Sequence, residues 1–429
     1  MGSLVFIALF ACYFAAANHE AKDSRYALVL SQALLYQHTF ELDRAFVPPA
    51  SDGAMRLESV SGHLFYYFPP GSSLLSLPAV AVLNLFGLSA INPVGRYDQP
   101  AEERMQALLA AALMAALAVL VLAMAWPLLT PGWSLAVVAG VALGSPIWST
   151  AALTLWSDTW GDFLLAWVIV LLLRLDRDAG EARRVSAVLL STLLCWAYFT
   201  RPTQSLAILA VGVYLLAWRR RLLPAFALTG MVWLALFVTY SRHHFGTWLP
   251  SYFRADRLAF GSFRTALAAN LWSPSRGLLV FVPTLLFVGW LLLRYRRTLV
   301  HRRLAGLAVA VVALHLILVS GYWQWWAGHS YGPRFGLALV PWFALLAILG
   351  VRATLEALRR APAGPVGHRL RVLRWAGATL LAASVLLNAP GALSPAAERW
   401  NKTPVDVDRA PGRVFDWSDP QFLAPLRRH

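Results

Sequence analysis

The first candidate for chemistry is a single carboxylate, Asp23, in the stretch AKDSRYALVLSQALLYQHTFELD at residues 21–43. It follows a hydrophobic segment, and Arg25 and Tyr26 come directly after it. From Tyr26 onward, apolar residues at offsets 0, 3, 4, 7 and 8 predict a helix with one apolar face, which beside a membrane span lies in the interface. An ionisable group at the water–lipid boundary costs free energy and indicates function. The alternative is a solvated aspartate at a helix N-cap.

Two further acids, Asp158 and Asp162, lie in the segment STAALTLWSDTWGDFLLAW. Because they are four residues apart, they share one face of a helix. Such a pair can bind a cation, orient a donor or hydrogen-bond an acceptor sugar. For Asp158 the alternative is an N-terminal acid that favours the helix dipole. Asp162 lies deeper in the apolar run, where an unpaired carboxylate is more costly.

Three arginines stand where apolar segments begin or turn. Arg201 is in the turn TRPT, Arg276 is in NLWSPSRGLLVFVP, and Arg334 is in GYWQWWAGHSYGPRFGLALVP. A fixed guanidinium at the end of a span suits a lipid-linked phosphate, because it can form bidentate hydrogen bonds. For Arg201 the alternative is a side chain that snorkels to a phospholipid headgroup.

Aromatic residues are dense ahead of Arg334, in the segment 322–331. They predict a platform for a sugar or an isoprenoid, and the alternative is an interfacial aromatic belt. The adjacent pair His243–His244 is typical of ordinary loop histidines rather than of a metal site. The predicted site therefore contains no metal ligands, and a requirement for a divalent cation is left open.

These residues need membrane-spanning elements to position them. The chain has 429 residues, of which 59% are hydrophobic and 14% are charged. This hydrophobic fraction is higher than that of typical soluble domains. We predict an all-α polytopic membrane protein, since many runs approach the roughly 20 apolar residues that a spanning helix needs. The predicted spans number eleven: 3–18, 104–128, 132–149, 161–173, 185–200, 203–218, 222–240, 277–293, 304–320, 335–351 and 375–390.

The net charge of +16 comes largely from arginines in loops that fall on one side of this topology, which is the positive-inside pattern and removes the case for a nucleic-acid partner. The other side then holds the first outer loop, 19–103, and a polar tail, 393–429, with too little apolar pattern for a domain of its own. Residues 1–392 form the transmembrane domain. Within the loop, Leu74–Leu88 is short for a span and predicts an interfacial or re-entrant helix, and the alternative is a plain spanning helix.

With these motifs in place, the chain resembles the GT-C glycosyltransferases, whose better-known branches are the lipid A aminoarabinose transferases and the protein O-mannosyltransferases. The segments KDSRYALVLSQALLYQHTFELD and HLFYYFPPGSSLLSLP look like the family's first-loop motif and its proline–proline segment. The segments SPSRGLL and WWAGHSYGPRF look like motifs of a bacterial subgroup of mannosyltransferases. The resemblance covers most of residues 1–350 and implies a GT-C-like bundle that uses polyprenyl-phosphate sugars outside the cytoplasm.

The resemblance implies that Asp23 is the catalytic base. In the aminoarabinose branch two adjacent acids stand here, and alignment on Arg25–Tyr26 places Lys22 under the first and Asp23 under the second. That branch also has an acid and a lysine before the paired prolines, where this chain has Tyr67 and Phe68. Donor contacts made by those two groups do not carry over.

Together these features predict an inverting glycosyltransferase that moves a monosaccharide from a polyprenyl-phosphate carrier to a hydroxyl of a glycan, lipid or protein acceptor. The expected location is the extracytoplasmic face of a bacterial inner membrane, with membrane lipid as a partner and no confidently predicted cofactor. The alternative is a transporter or flippase of a lipid-linked solute. The candidate residues are Asp23 for catalysis, Arg25, Arg201, Arg276 and Arg334 for the donor phosphate, and Tyr26, Tyr67, Asp158, Asp162, Trp326, His329 and Tyr331 for substrate.

Overall fold

The computed structural model describes residues 1–46, 56–177, 184–360 and 366–427. Parts of the predicted first outer loop (47–55), parts of two arginine-rich loops (178–183 and 361–365) and the last two residues of the tail (428–429) lie outside this described portion. The described portion is predominantly helical, with one short β-hairpin. The all-α prediction is therefore confirmed in this coarse form.

The elements follow in chain order. They are α1 (Gly2–Phe14), α2 (Ala27–Gln37), β1 (Leu57–Val60), β2 (His63–Tyr66), α3 (Gly71–Leu85), α4 (Gln99–Ala125), α5 (Pro131–Ala142), α6 (Ser157–Arg177), α7 (Arg184–Thr200), α8 (Ser205–Trp218), α9 (Leu223–Phe245), α10 (Phe263–Trp272), α11 (Leu278–Phe281), α12 (Thr284–Arg294), α13 (Arg302–Ser320), α14 (Val340–Arg360), α15 (Val366–Leu393) and α16 (Pro395–Arg399). A single π-helical turn, Ile147–Ala151, lies between α5 and α6.

Within the described residues, five helical stretches are long and apolar enough to cross a membrane. The stretches are Gln99–Ala125, Arg220–Phe245, Arg302–Ser320, Arg334–Arg360 and Gly367–Leu393. Each predicted span contains a helix, but several of these helices have only 10–17 residues. The count of eleven crossings stays a prediction, and the chain is compatible with a membrane protein.

The main hydrophobic core is built around α4, α6 and α14. These helices contribute long runs of fully buried side chains, of which Met114 in α4, Leu165 in α6 and Trp342 in α14 are examples. The outermost helices, α9 and α15, bury little of their apolar surface within the protein. Apolar surface that no protein covers is what a lipid-facing helix presents.

Helix α2 follows Asp23 as predicted, and Val29, Leu30 and Ala33 of its predicted apolar face are buried, but the burial is not limited to that face. Seven consecutive residues, Ala27–Ala33, are buried. The polar members are accommodated because Ser31 donates to the carbonyl of Ser73 at 2.8 Å and Gln32 donates to the hydroxyl of Ser89 at 2.7 Å. The helix is thus enclosed by protein in its first half, with α3 packed beside it.

Helix α3 covers most of the segment predicted as interfacial or re-entrant. It has 15 residues with Pro78 inside, which is shorter than a spanning helix. It begins at Gly71, where a Cβ atom would overlap the backbone of Phe199 at the end of α7. A glycine is therefore needed for this close approach. Its orientation to a membrane stays a prediction.

The C-terminal tail packs against α10 and the loop before Arg334. Trp400, Val407, Val414 and Ala424 are buried together with Trp325 and Trp326 in a second hydrophobic cluster. We call the segment of the tail from α16 to Leu426 the tail cap. Its core is shared with the loop before Arg334, and the domain boundary at residue 392 stays a prediction.

Candidate active site

The backbone that carries Asp23 is positioned by a buried carboxylate of α4. Glu102 accepts hydrogen bonds from the backbone N–H groups of Tyr26 at 3.0 Å and Leu28 at 2.9 Å. It also accepts one from the hydroxyl of Tyr97 at 2.6 Å. The first N–H groups of a helix have no acceptor within the helix. At the start of α2, the Glu102 carboxylate is the acceptor.

Three further side chains hold the same loop. Gln106 in α4 donates to the carbonyl of Ser24 at 2.8 Å. The hydroxyl of Tyr66, at the end of the β1–β2 hairpin, donates to the carbonyl of Asp23 at 3.1 Å. Arg56 donates to the carbonyl of Lys22 at 2.7 Å. Asp23 therefore sits on a backbone that is tied to both α4 and the hairpin.

The carboxylate of Asp23 pairs with a guanidinium from a distant part of the chain. Nη2 of Arg334 lies 2.5 Å from Oδ2 of Asp23, although 311 positions separate the two residues. The Arg334 guanidinium carbon lies 3.8 Å from the centre of the Trp156 ring. The Asp23 side chain remains 44% exposed, whereas that of Arg334 is 13% exposed. The pair is thus fixed by packing on one side and open to solvent on the other.

Two opposing effects set the ionisation of Asp23. The surrounding protein withdraws water from the carboxyl group, which raises its pKa, but the charge and hydrogen bond of Arg334 lower it. Lys22 and Arg56 add smaller effects in the same direction as Arg334. The pKa of Asp23 consequently lies below its usual value, and the group is a carboxylate at neutral pH.

A second acid–arginine pair lies next to the first. Nη1 of Arg201 contacts Oδ2 of Asp158, and both side chains are buried. Asp158 is also within electrostatic range of Arg334 and Asp23. The predicted convergence of Asp23, Arg201 and Arg334 is therefore present in the structure. Asp158 lies in the first turn of α6, which begins at Ser157.

Asp162 lies one helical turn beyond Asp158 and is completely buried. Neither of its carboxylate oxygens has a hydrogen-bond partner among the described residues. Asp158 and Arg201 are within electrostatic range of it. Burying a carboxyl group without a hydrogen-bond partner costs free energy. Asp162, Asp158 and Arg201 together form a buried cluster of ionisable groups, which we call the charge cluster.

One wall of the site is aromatic. The ring of Tyr67 lies 5.7 Å from that of Tyr252, and the guanidinium carbon of Arg257 lies 5.1 Å and 4.5 Å from their respective centres. Tyr252 is within electrostatic range of Asp23 and Arg201. This places the predicted Tyr67 beside the charge cluster, together with two residues that the sequence did not single out.

Arg25 and Tyr26 follow Asp23, and Tyr26 contacts the Glu102 side of the loop. Arg25 is within electrostatic range of Tyr97. Tyr26 is fully buried, with a backbone φ of 72°, and its ring lies 4.7 Å from that of Tyr97. A positive φ is uncommon for an aromatic residue. The contacts of Tyr26 support a role in positioning Asp23, and the predicted phosphate contact of Arg25 and substrate contact of Tyr26 stay predictions.

Arg276 is placed differently from the prediction. It is 1% exposed. Its guanidinium donates to protein oxygens throughout: the carbonyls of Trp326 (2.7 Å), Ser275 (2.8 Å) and Gly328 (3.1 Å), and the side chains of Gln421 (2.6 Å) and Asn401 (2.9 Å). A side chain so engaged has no donor to offer a phosphate. Arg276 joins the tail cap to the loop before Arg334.

The other predicted residues of that loop also contact the tail cap or α15. Nε1 of Trp326 donates to Asp408 at 2.6 Å. Nε2 of His329 lies 2.8 Å from Asp406, and its carbonyl accepts a hydrogen bond from Lys22 at 2.6 Å. The hydroxyl of Tyr331 donates to the carbonyl of Leu387 in α15 at 2.7 Å. The rings of Trp326 and Tyr331 are largely buried by these contacts, and the sugar platform stays a prediction.

A polar cavity of about 410 Å³ adjoins the Asp23 loop. Its lining includes Lys22, Trp156, Tyr331, Glu398 and Lys402. Lys22 and Trp156 flank the Asp23–Arg334 pair, and Glu398 forms an ion pair with Lys22. The cavity thus extends from the tail cap to the neighbourhood of the catalytic candidate. His329, Asp406 and Asp408 at the same end form a set of three potential metal ligands.

The most important residues that the sequence did not reveal are Glu102, Gln106 and Trp156. Glu102 reads as a solvated acid ahead of an apolar helix, and its burial depends on the loop that folds over it. The signal was weak but present, because an acid and an amide four residues apart, at the start of an apolar run, share one helix face.

No family model matches the sequence, and no curated protein matches it.

Proposed function

We propose that this chain is a membrane glycosyltransferase that transfers a monosaccharide from a polyprenyl-phosphate carrier to an acceptor hydroxyl, with inversion at the anomeric carbon. The observation that carries the proposal is the contact of Asp23 with Arg334. A partly exposed carboxylate and a guanidinium with uncommitted donors are what a base and a phosphate ligand require. The adjoining Asp158–Arg201 pair supplies a second cation at the same place.

The reaction assigns one task to each of these groups. Asp23 accepts the proton of the acceptor hydroxyl as the oxygen forms a bond to the anomeric carbon. The bond from that carbon to the phosphate oxygen breaks, and its electron pair leaves with the polyprenyl phosphate. Arg334 and Arg201 stabilise the charge that develops on this leaving group. No nucleotide or redox cofactor is needed for this balance.

The opposing effects on Asp23 suggest how the base is activated. In the structure Arg334 lowers the pKa of Asp23. A bound phosphate competes with Asp23 for Arg334. When Asp23 loses this partner, the effect of burial, which raises its pKa, becomes the main one. Its basicity therefore increases once the donor is in place. Proton removal by a placed carboxylate contributes roughly 10²–10⁴-fold to rate.

The same proposal includes the finer topology. It comprises a GT-C-like bundle of about eleven crossings, with the site on the face opposite the arginine-rich loops in a bacterial inner membrane. The charge distribution of the loops supports this orientation. Accessibility labelling of single cysteines in intact cells tests it, with Cys12 and Cys195 as the native thiols to be replaced first.

The function is tested with purified protein and a panel of polyprenyl-phosphate monosaccharides. A transferase consumes one of these donors and releases polyprenyl phosphate in the presence of an acceptor, with the opposite anomeric configuration in the product. A transporter or flippase leaves the sugar–phosphate bond intact and moves the labelled lipid between leaflets of a vesicle. The second outcome would refute the proposal.

A further inference from the structure

We infer that His329, Asp406 and Asp408 form a binding site for one divalent transition-metal ion, such as Zn²⁺, which fastens the tail cap to the loop before Arg334. This inference does not depend on the proposed transferase activity. His329 belongs to that loop, and Asp406 and Asp408 belong to the tail cap. The site would therefore join two parts of the chain that are 77 positions apart.

The ligand atoms lie close to metal-site spacing. One ligand atom from each residue can be chosen so that all lie within 4.8 Å of one another. Nε2 of His329 is 2.8 Å from Oδ1 of Asp406 and 3.6 Å from Oδ2 of Asp408. Zinc bonds of about 2.0–2.2 Å in a tetrahedron imply ligand separations of about 3.3 Å. The two observed distances lie on either side of that value, so small side-chain rotations complete the site.

Neighbouring groups hold the carboxylates in position. Oδ1 of Asp408 accepts hydrogen bonds from Nε1 of Trp326 at 2.6 Å and from Nε2 of Gln324 at 3.2 Å. The other oxygen of Asp408, Oδ2, faces His329 and is the one that would bind the ion. The backbone N–H of Asp408 donates to Asp406 at 2.9 Å. Such outer contacts orient metal ligands and are part of what gives a site its affinity.

The donor set points to a class of ion. One imidazole nitrogen with two carboxylates favours Zn²⁺ or a similar transition-metal ion over Mg²⁺ and Ca²⁺, which prefer oxygen ligands throughout. The side chains are 25%, 31% and 43% exposed, so an ion can reach them from solvent. Three protein ligands leave a fourth position for water or for an exogenous group.

The site also connects to the candidate active site. The carbonyl of His329 accepts the hydrogen bond of Lys22, whose neighbour in the chain is Asp23. The carbonyl of Gly328 accepts one from Arg276. An ion bound at His329 would therefore restrain a loop that contacts Lys22, the neighbour of the catalytic candidate, and Arg276.

The test uses the full-length protein in detergent, stripped with a chelator, desalted and titrated with Co²⁺ and then Zn²⁺. The wild type should bind close to one equivalent of Co²⁺ and show the visible absorption bands of four-coordinate Co²⁺. Added Zn²⁺ should displace the Co²⁺ and remove these bands. Asp408→Asn should bind Co²⁺ and Zn²⁺ roughly tenfold or more weakly. Asp416→Asn, an exposed acid of the same tail outside the cluster, is the matched control and should bind both ions as the wild type does.

A second variant identifies the ligand directly. His329→Cys replaces the imidazole by a thiolate, so the Co²⁺ complex should gain a sulfur-to-cobalt charge-transfer band in the near ultraviolet. Zinc should also raise the unfolding temperature of the wild type and of Asp416→Asn more than that of Asp408→Asn. Absence of stoichiometric binding in the wild type, unchanged affinity in Asp408→Asn, or a His329→Cys complex without the new band would overturn the inference.

Discussion

Arg276 and Arg334 look alike in the sequence but have opposite environments in the fold. Each follows a proline closely in a turn, in SPSR and in GPR, and each precedes an apolar segment. Arg276 is enclosed, and its guanidinium donates to oxygens of five other residues. Arg334 donates from Nη2 to Asp23, and its Nε has no hydrogen-bond partner within the described residues.

The difference shows how a structural arginine is told from a ligand-binding one. A guanidinium whose donors are all used by protein oxygens stabilises the fold and has nothing left for an anion. A guanidinium that keeps free donors beside a partly exposed carboxylate is poised to exchange its partner. Only Arg334 meets the second description, so the comparison predicts loss of transfer at one position and loss of stability at the other.

The largest expected effect is on catalysis at the Arg334 end of the comparison. Asp23→Asn removes the proton acceptor while keeping the size of the side chain, and we expect transfer to fall by roughly 10²–10⁴-fold. The variant should reach the membrane in normal amounts. The measurement is release of polyprenyl phosphate by purified protein, with Asp256→Asn, an exposed acid of an outer loop, as the control. Normal transfer by Asp23→Asn would assign the base to another residue.

The next effect is on stability at the Arg276 end. Arg276→Ala leaves buried acceptors of the loop and of the tail cap without donors, and we expect it to lower the free energy of unfolding by about 3 kcal/mol. Proteolysis of the tail and thermal unfolding in detergent measure this loss. Arg409→Ala removes an exposed arginine of the same tail and should be neutral. If Arg276→Ala were as stable as Arg409→Ala but inactive, our assignment of Arg276 as structural would be wrong.

A smaller effect concerns the pH dependence of transfer. Arg334 lowers the pKa of Asp23, so the wild-type base stays ionised at neutral and mildly acidic pH. In Arg334→Gln the lowering effect of the guanidinium is lost, and burial still raises the pKa of Asp23. The acidic limb of the pH–rate profile should therefore move up by roughly one to three pH units. Arg334→Lys keeps a positive charge and should shift less. The measurement is the transfer rate as a function of pH, and an unmoved limb would separate Arg334 from the ionisation of Asp23.

The smallest effect sharpens the assignment of the tryptophan-rich loop. Trp326→Phe keeps an aromatic ring but removes the donor to Asp408, and it should cost about 1 kcal/mol of stability. Transfer should be nearly unchanged because Trp326 is buried against the tail cap. Thermal unfolding and the transfer assay measure the two effects side by side. A large rise in the donor KM without loss of stability would instead support the sugar platform that the sequence suggested.

The sequence predicted the helices and the residues at the centre of the site better than their supports. Apolar runs of helical length are a local signal, and the motif around Asp23 lies within one short stretch. The partners of Arg276 are not local, since Asn401 and Gln421 lie 125 and 145 positions away in a polar tail without periodicity. Glu102 gave only a weak signal as a support, because its burial depends on a loop that closes over it from elsewhere in the chain.

The most direct measurement of the central claim is a structure of the protein with polyprenyl phosphate bound. The phosphate should lie within hydrogen-bonding distance of Arg334 and close to Arg201, with the Asp23 carboxylate released from Arg334 and facing the same space. A phosphate bound on a different surface, with the Asp23–Arg334 pair undisturbed, would contradict the account.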